Sequence, residues 1–233
     1  MICLTWMVQV IVAIRGGRVN LQALSAATGV TVPSIKYCLR EGLLHPGVKK
    51  NATTAVYDDT HRARLDLIQA LRQIVGTPVG EIRRLTTLID APVPVIDIMS
   101  AAQALGAAAV FPGDDDEPVQ PAQELVAHLL RVRGWPDRAS AARRGVEKFL
   151  TEMAAEGYLP AVDYLEDLTR IIDELSALDL GTTVPPGAGD GPGDLDRLAM
   201  RVAVGTYRHS RLLVALLQLG HASHSIRRYD PQA

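Results

Sequence analysis

TGVTVPSIKYCLREGLLHPGVKKNATTAVYDDTHRAR, residues 28–64, decides how the chain is read. Just before it, Leu21 and Leu24 lie three apart on one face of a short helical pattern over residues 21–28, which Gly29 ends. Thr31 is placed to cap a second helix, and Pro33 falls in its first turn, where a missing N–H costs nothing. In that helix Val32, Ile35 and Leu39 recur at spacings of three and four, an inward stripe. Ser34, Lys36, Tyr37 and Arg40 are left on an outward face of small, basic and aromatic groups. Such a face suits a helix lying in a DNA groove and against phosphates. Taken alone it suits a solvated surface helix equally well. Gly42 stops the helix and Leu43-Leu44 anchors the chain in the core. His45-Pro46-Gly47 then begins an extended excursion carrying Lys49, Lys50, Asn51, Thr53 and Thr54. It returns through Val56-Tyr57 to Asp58-Asp59-Thr60, which offers caps for a third helix. The pattern is a helix-turn-helix followed by a β-ribbon wing.

The stretch resembles the MerR family of transcriptional regulators. The residues that carry the resemblance are Thr28-Gly29-Val30, Ser34-Ile35-Lys36-Tyr37-Cys38, Gly42-Leu43-Leu44-His45-Pro46 and Tyr57, in the family's order and spacing. It covers about residues 19–90. The resemblance implies that Thr31, Ser34, Lys36, Tyr37 and Arg40 serve a groove-reading helix. It implies that Lys49, Lys50 and Tyr57 clamp backbone through the wing, and that Arg62, Arg64 and Arg84 add phosphate contacts. It also implies a homodimer that binds a near-palindromic promoter site and distorts it so that RNA polymerase can engage. Two positions depart from the family pattern. Cys38 stands where the family has a second Tyr, and Val56 stands where an Arg is common before Tyr57.

Charge supports a DNA-reading head. Residues 1–90 hold 11 Lys and Arg against 6 acidic residues, a balance of +5, whereas the remainder holds 13 against 20, a balance of −7. A basic part joined to an acidic one is what a DNA reader with a separate module shows. With 48% hydrophobic and 21% charged residues the chain is globular, and its 4% aromatic content favours a helical core of Leu, Val, Ile and Ala. Two cysteines, Cys3 and Cys38, leave no disulfide framework and fit a reducing cytoplasm.

The expected fold is mainly α: an N-terminal winged helix-turn-helix with a small β-ribbon wing, then an all-α C-terminal helical domain. Residues 1–18 read as an apolar N-terminal extension, too short to span a bilayer and without the features of a signal peptide. Either it lies upstream of the native start, or it is an arm that packs on the body or a partner. Residues 19–90 form the DNA-binding domain, with further helices over 60–75 and 78–90. Residues 91–111 form a hinge and a short, very apolar dimerisation helix, and 112–121 an acidic, proline-rich linker. Residues 122–233 form an effector or dimerisation domain, with helices over 122–133, 139–156, 161–178 and 195–220 separated by Gly/Pro turns. Val146, Phe149, Leu168, Ile171, Ile172, Leu212, Leu213, Leu216 and Leu217 are among its inward positions. This half resembles the helical C-terminal domains of some actinobacterial MerR-like regulators.

No GxSxG, P-loop, GxGxxG or HExxH pattern occurs, so an enzyme is not expected. Soft-metal sensing needs thiolates near a dimer helix, which are lacking; no metal site and no cofactor are expected. His221 and His224 share a helical face but have no third ligand nearby in sequence. A small-molecule effector could bind between the C-terminal helices, with Trp135, Tyr158, Tyr164, Met200 and Tyr207 as lining. The alternative is a ligand-independent regulator whose helical half only dimerises or binds another protein.

Overall fold

Side-chain caps set the first two helices. The computed structural model describes residues 18–51, 54–110, 120–183 and 191–229. Most of the expected N-terminal extension, most of the linker and residues 184–190 lie outside these. Helix α1 (Leu21–Thr28) starts at Asn20, whose carboxamide oxygen accepts from the Ala23 N–H at 2.9 Å. It ends at Gly29, whose φ of 69° is left-handed and suits only glycine without strain. Helix α2 (Val32–Arg40) starts at Thr31, whose hydroxyl accepts from Ser34 N–H at 3.3 Å. Ile35 and Cys38 are its buried residues. Strands β1 (Val48–Lys49) and β2 (Ala55–Val56) pair antiparallel, Val48 opposite Val56 and Lys49 opposite Ala55. Val19 and Tyr57 then exchange both backbone hydrogen bonds at 2.8 Å, which ties the wing's return to the start of the domain.

Helix α3 (Asp59–Ala70) opens with a reciprocal cap between Asp58 and His61 and runs into a wide π-turn over Leu71–Val75. Helix α4 (Val79–Asp90) and α5 (Val95–Ala108) follow. Leu24, Ile35, Leu43, Leu44, Leu65, Leu67, Leu71, Ile82 and Leu85 form one buried cluster. Ile98 and Ala102 of α5 extend it, and so do Ala199 and Ala203 from the last helix, α9 (Asp194–Tyr229). At the α5–α9 crossing, a Cβ built on Gly106 would lie 2.3 Å from the Ala203 carbonyl oxygen. Only glycine allows that approach. Helices α6 (Gln120–Arg133), α7 (Ala141–Ala155) and α8 (Val162–Thr183) form a second, smaller core of Ala122, Val126, Leu129, Leu150 and Leu165.

The architecture is mainly α with a small β wing, as expected. Three expectations change. The helix over 95–108 packs Ile98, Ala102 and Gly106 on α9 of its own chain. Residues 122–233 are not one unit, because the first half of α9 completes the core of the DNA-binding head. The inward stripes of the C-terminal half are only partly buried: Phe149 is 60% exposed, and Leu168, Ile171, Ile172, Leu212, Leu213, Leu216 and Leu217 are also exposed. Helical periodicity finds such faces; it does not say whether the covering surface belongs to the same chain.

Candidate nucleic-acid interface

The outward face read from α2 is outward in the structure. Thr31, Ser34, Lys36, Tyr37 and Arg40 are all exposed, while Ile35 and Cys38 hold the helix on the core. The Thr31 and Ser34 hydroxyls bond each other at 2.8 Å in the first turn. Burial raises the Cys38 thiol above its ordinary pKa, partly offset by Arg72, so this cysteine packs as a small apolar group. Arg83 braces the far end of α2, donating to the Glu41 carboxylate at 2.6 Å and to its carbonyl at 3.1 Å.

Lys49 and Lys50 are exposed on the wing, and the Lys50 N–H donates to Thr54 O at 2.8 Å near its tip. Arg84 is exposed on α4, paired with Glu81 of the same helix. Arg62 is half-buried beside Asp66 at 3.8 Å. These residues and the outer face of α2 keep basic groups where a duplex could meet them.

Two of the expected contact residues are placed otherwise. Tyr57 is 6% exposed, with its ring edge-on to His61 at 5.1 Å and closely backed by Gly47. It holds the root of the wing instead of reaching out from it. Arg64 is 2% exposed. Its guanidinium binds Asp90 through both terminal nitrogens, at 3.1 and 2.5 Å, and Asp196 through Nε. Burial opposes its charge, but Asp90 and Asp196 outweigh burial and raise its pKa further. Arg64 is therefore an internal brace joining α3, α4 and α9, and it has no free face for a phosphate. Arg197 adds a second tie, to Asp59 at the start of α3 and to Asp194.

The five residues expected to line an effector pocket do not converge. Tyr158 is 74% exposed, and Tyr164 is also exposed. Met200 packs against the head core. Tyr207 lines an open cleft of about 580 Å³ with Ile74, Arg208, Arg211 and Leu212. Trp135 lines another of about 440 Å³ with Ala127, Leu130, Arg131 and Asp137, its indole N–H on Asp173 at 2.5 Å.

One cluster was not read from the sequence. His45, Asp58 and His61 meet where both feet of the wing join α3. Their separations of 13 and 3 residues match no ligand motif, and only the fold brings His45 to the other two.

Comparison with known proteins bears on the helix-turn-helix fold of the head. Residues 19–88 match the MerR HTH family regulatory protein. Among solved structures, the proposed transcriptional regulator SCO5550 from Streptomyces coelicolor A3(2) superimposes with a TM-score of 0.62 at 26% identity, over 91% of this chain and 98% of that one. No curated protein matches the chain. The head is thus a MerR-type helix-turn-helix domain, and the chain is a DNA-binding transcriptional regulator. No helix among the described residues is long and apolar enough to cross a membrane.

Proposed function

We propose that the chain acts as a homodimer that binds a near-palindromic promoter site, with α2 in the major groove and the wing on the adjacent backbone. The observation that carries this reading is the exposed Ser34, Lys36, Tyr37 and Arg40 face on a helix anchored by Ile35 and Cys38. One such head reads few base pairs, and paired half-sites are read by two-fold dimers. Distortion of the promoter so that RNA polymerase can engage is part of the same proposal, carried by the family likeness.

Footprinting on the region upstream of the protein's own coding sequence tests it. A Lys36→Ala/Arg40→Ala variant is expected to lose roughly 1–3 kcal/mol of binding per lost base contact. Lys49→Ala is expected to weaken binding on all sequences alike and to lower the salt slope by about one. Wild-type footprints from both variants would sink the assignment.

The second half of α9 supports the dimer. From Arg211 to Leu219 every residue is exposed, and seven of these nine are apolar: Leu212, Leu213, Val214, Ala215, Leu216, Leu217 and Leu219. A helix apolar all round is a buried helix, so one chain leaves this segment uncovered. Leu216→Glu/Leu219→Glu is expected to shift the protein from dimer to monomer in sedimentation, with the far-ultraviolet spectrum kept. A wild-type sedimentation coefficient would remove α9 from the interface.

For effector binding, the cleft beside Trp135 is the better candidate, because it sets an aromatic ring beside charged groups of both signs, Arg131 and Asp137. If no small molecule shifts thermal stability or operator affinity, the helical half serves dimerisation or protein interaction alone.

A further inference from the structure

The root of the wing holds a compact set of donors. His45 lies on the outgoing foot of the wing, Asp58 at its return, and His61 one turn into α3. One nitrogen or carboxylate oxygen from each lies within 4.8 Å of the others. The imidazole rings of His45 and His61 are 3.9 Å apart between centroids. Thr60 Oγ1 bridges the set, 2.9 Å from His45 Nε2 and 2.6 Å from Asp58 Oδ1. His61 Nδ1 faces Asp58 Oδ1 at 2.8 Å. The same Nδ1 lies 3.1 Å from the Asp58 N–H, so it either donates to the carboxylate or accepts from that N–H, and a metal ion would take the place of that bond in this cap. His61 Nε2 is buried with no hydrogen-bond partner among the described residues, so the ring's hydrogen bonds all lie on its Nδ1 side.

We propose that His45, Asp58 and His61 form a site for a borderline divalent metal ion, Zn²⁺ by ligand set, that ties both feet of the wing to α3. Two imidazoles and one carboxylate are a common three-ligand set for zinc, with a further position left for water or the Thr60 hydroxyl. Where His61 Nδ1 donates to Asp58, the ion displaces that proton, which leaves to solvent. Tetrahedral zinc spaces its ligands by about 3.3 Å, so the Asp58–His61 pair opens by roughly half an ångström. Asp58 lies at the surface end of the cluster and can give this.

The surrounding charge permits it. Burial alone would raise the Asp58 carboxyl, but hydrogen bonds from Thr60 and His61 outweigh it and bring it to about 2. Burial, His61 and Arg64 together lower the His45 pKa, which favours its neutral ring. The charge on Arg64 would oppose a second cation, but Asp90 and Asp196 already neutralise it. The site is remote in sequence from His209, His221 and His224 and uses no cysteine. If the DNA-binding reading holds, an ion here would set the wing angle and so the fit to the backbone.

The test uses the full chain stripped with chelator. Titration with Co²⁺ should give a visible d–d band that saturates at one ion per chain and is displaced by Zn²⁺. Zn²⁺ should raise the melting midpoint and slow hydrogen exchange at residues 45–50 and 54–61. The band and the protection should both disappear in His45→Ala and in Asp58→Asn, where Asn keeps the helix cap, while circular dichroism stays native. These variants are used because His61 is buried and its removal could unfold the head. No saturable band in the wild type, or a band unchanged in both variants, overturns the site. A band without exchange protection of the wing overturns the tie. Neither readout involves DNA, so failure here is distinct from failure of the proposed function.

Discussion

Arg64→Met should lower the stability of the protein by about 3–5 kcal/mol, the cost of leaving a buried charge without its partner. The charge left unpaired is that of Asp196, whose side chain is only 7% exposed against 2% for Arg64. Asp90 is mostly in water, so it contributes little to the penalty. By the usual scaling for a chain of this length, the thermal midpoint falls by roughly 10 °C. Replacing both partners removes the uncompensated charge, so Arg64→Met/Asp196→Leu should recover most of the loss. Chemical denaturation of the two variants checks this. If the double variant is as unstable as the single one, the pairing is not what Arg64 contributes. The same double variant decides between a brace and a phosphate contact. Its salt slope of operator binding should equal that of the wild type; a slope lower by about one would restore Arg64 to the DNA interface.

The second large effect is expected at the crossing of α5 and α9. Gly106→Val should cost about 3 kcal/mol or more, at the upper end for overpacking. The obstruction is the Ala203 carbonyl, with the Thr206 Cβ also at 2.9 Å. Backbone cannot rotate aside as a side chain does, so the two helices must separate. Separation would loosen Ile98, Ala102, Ala199 and Ala203 together. Gly80 is the control. It lies in α4 with nothing within 4 Å of a built Cβ, so Gly80→Ala should gain about 0.5–1 kcal/mol through helix propensity. Equal behaviour of the two variants in thermal unfolding would mean that the close approach does not carry the junction.

What was readable in the sequence was local. Thr31, Pro33 and the Ile35 stripe define α2 within ten residues, and the wing follows from short-range turn chemistry. Helix positions also came through well, since caps and Gly/Pro breaks act within one turn. What failed depends on residues far apart. Arg64 looked like one more cation in a basic run, because its partner Asp196 lies 132 residues later. Tyr57 fitted a wing contact until Gly47 and His61 were seen to enclose it. The apolar stripes of α8 and α9 were correctly apolar, yet periodicity carries no information on which molecule covers them. His45, Asp58 and His61 are ordinary singly, and only the closure of the wing makes them a set.

The joint between head and last helix has a consequence for synthesis. Residues 19–90 leave the ribosome long before Asp194–Tyr229, yet Ala199, Ala203 and Asp196 complete the core and the ion pair of the head. Contacts of such sequence separation are slow to form, because a long loop must close first. The core beneath the outward face of α2 is therefore complete only once Asp194–Tyr229 has been made. A nascent or truncated product carries the exposed face of α2 without the full core beneath it. A chain that stops before Asp194 is expected to leave Arg64 without Asp196 and the core of the head open.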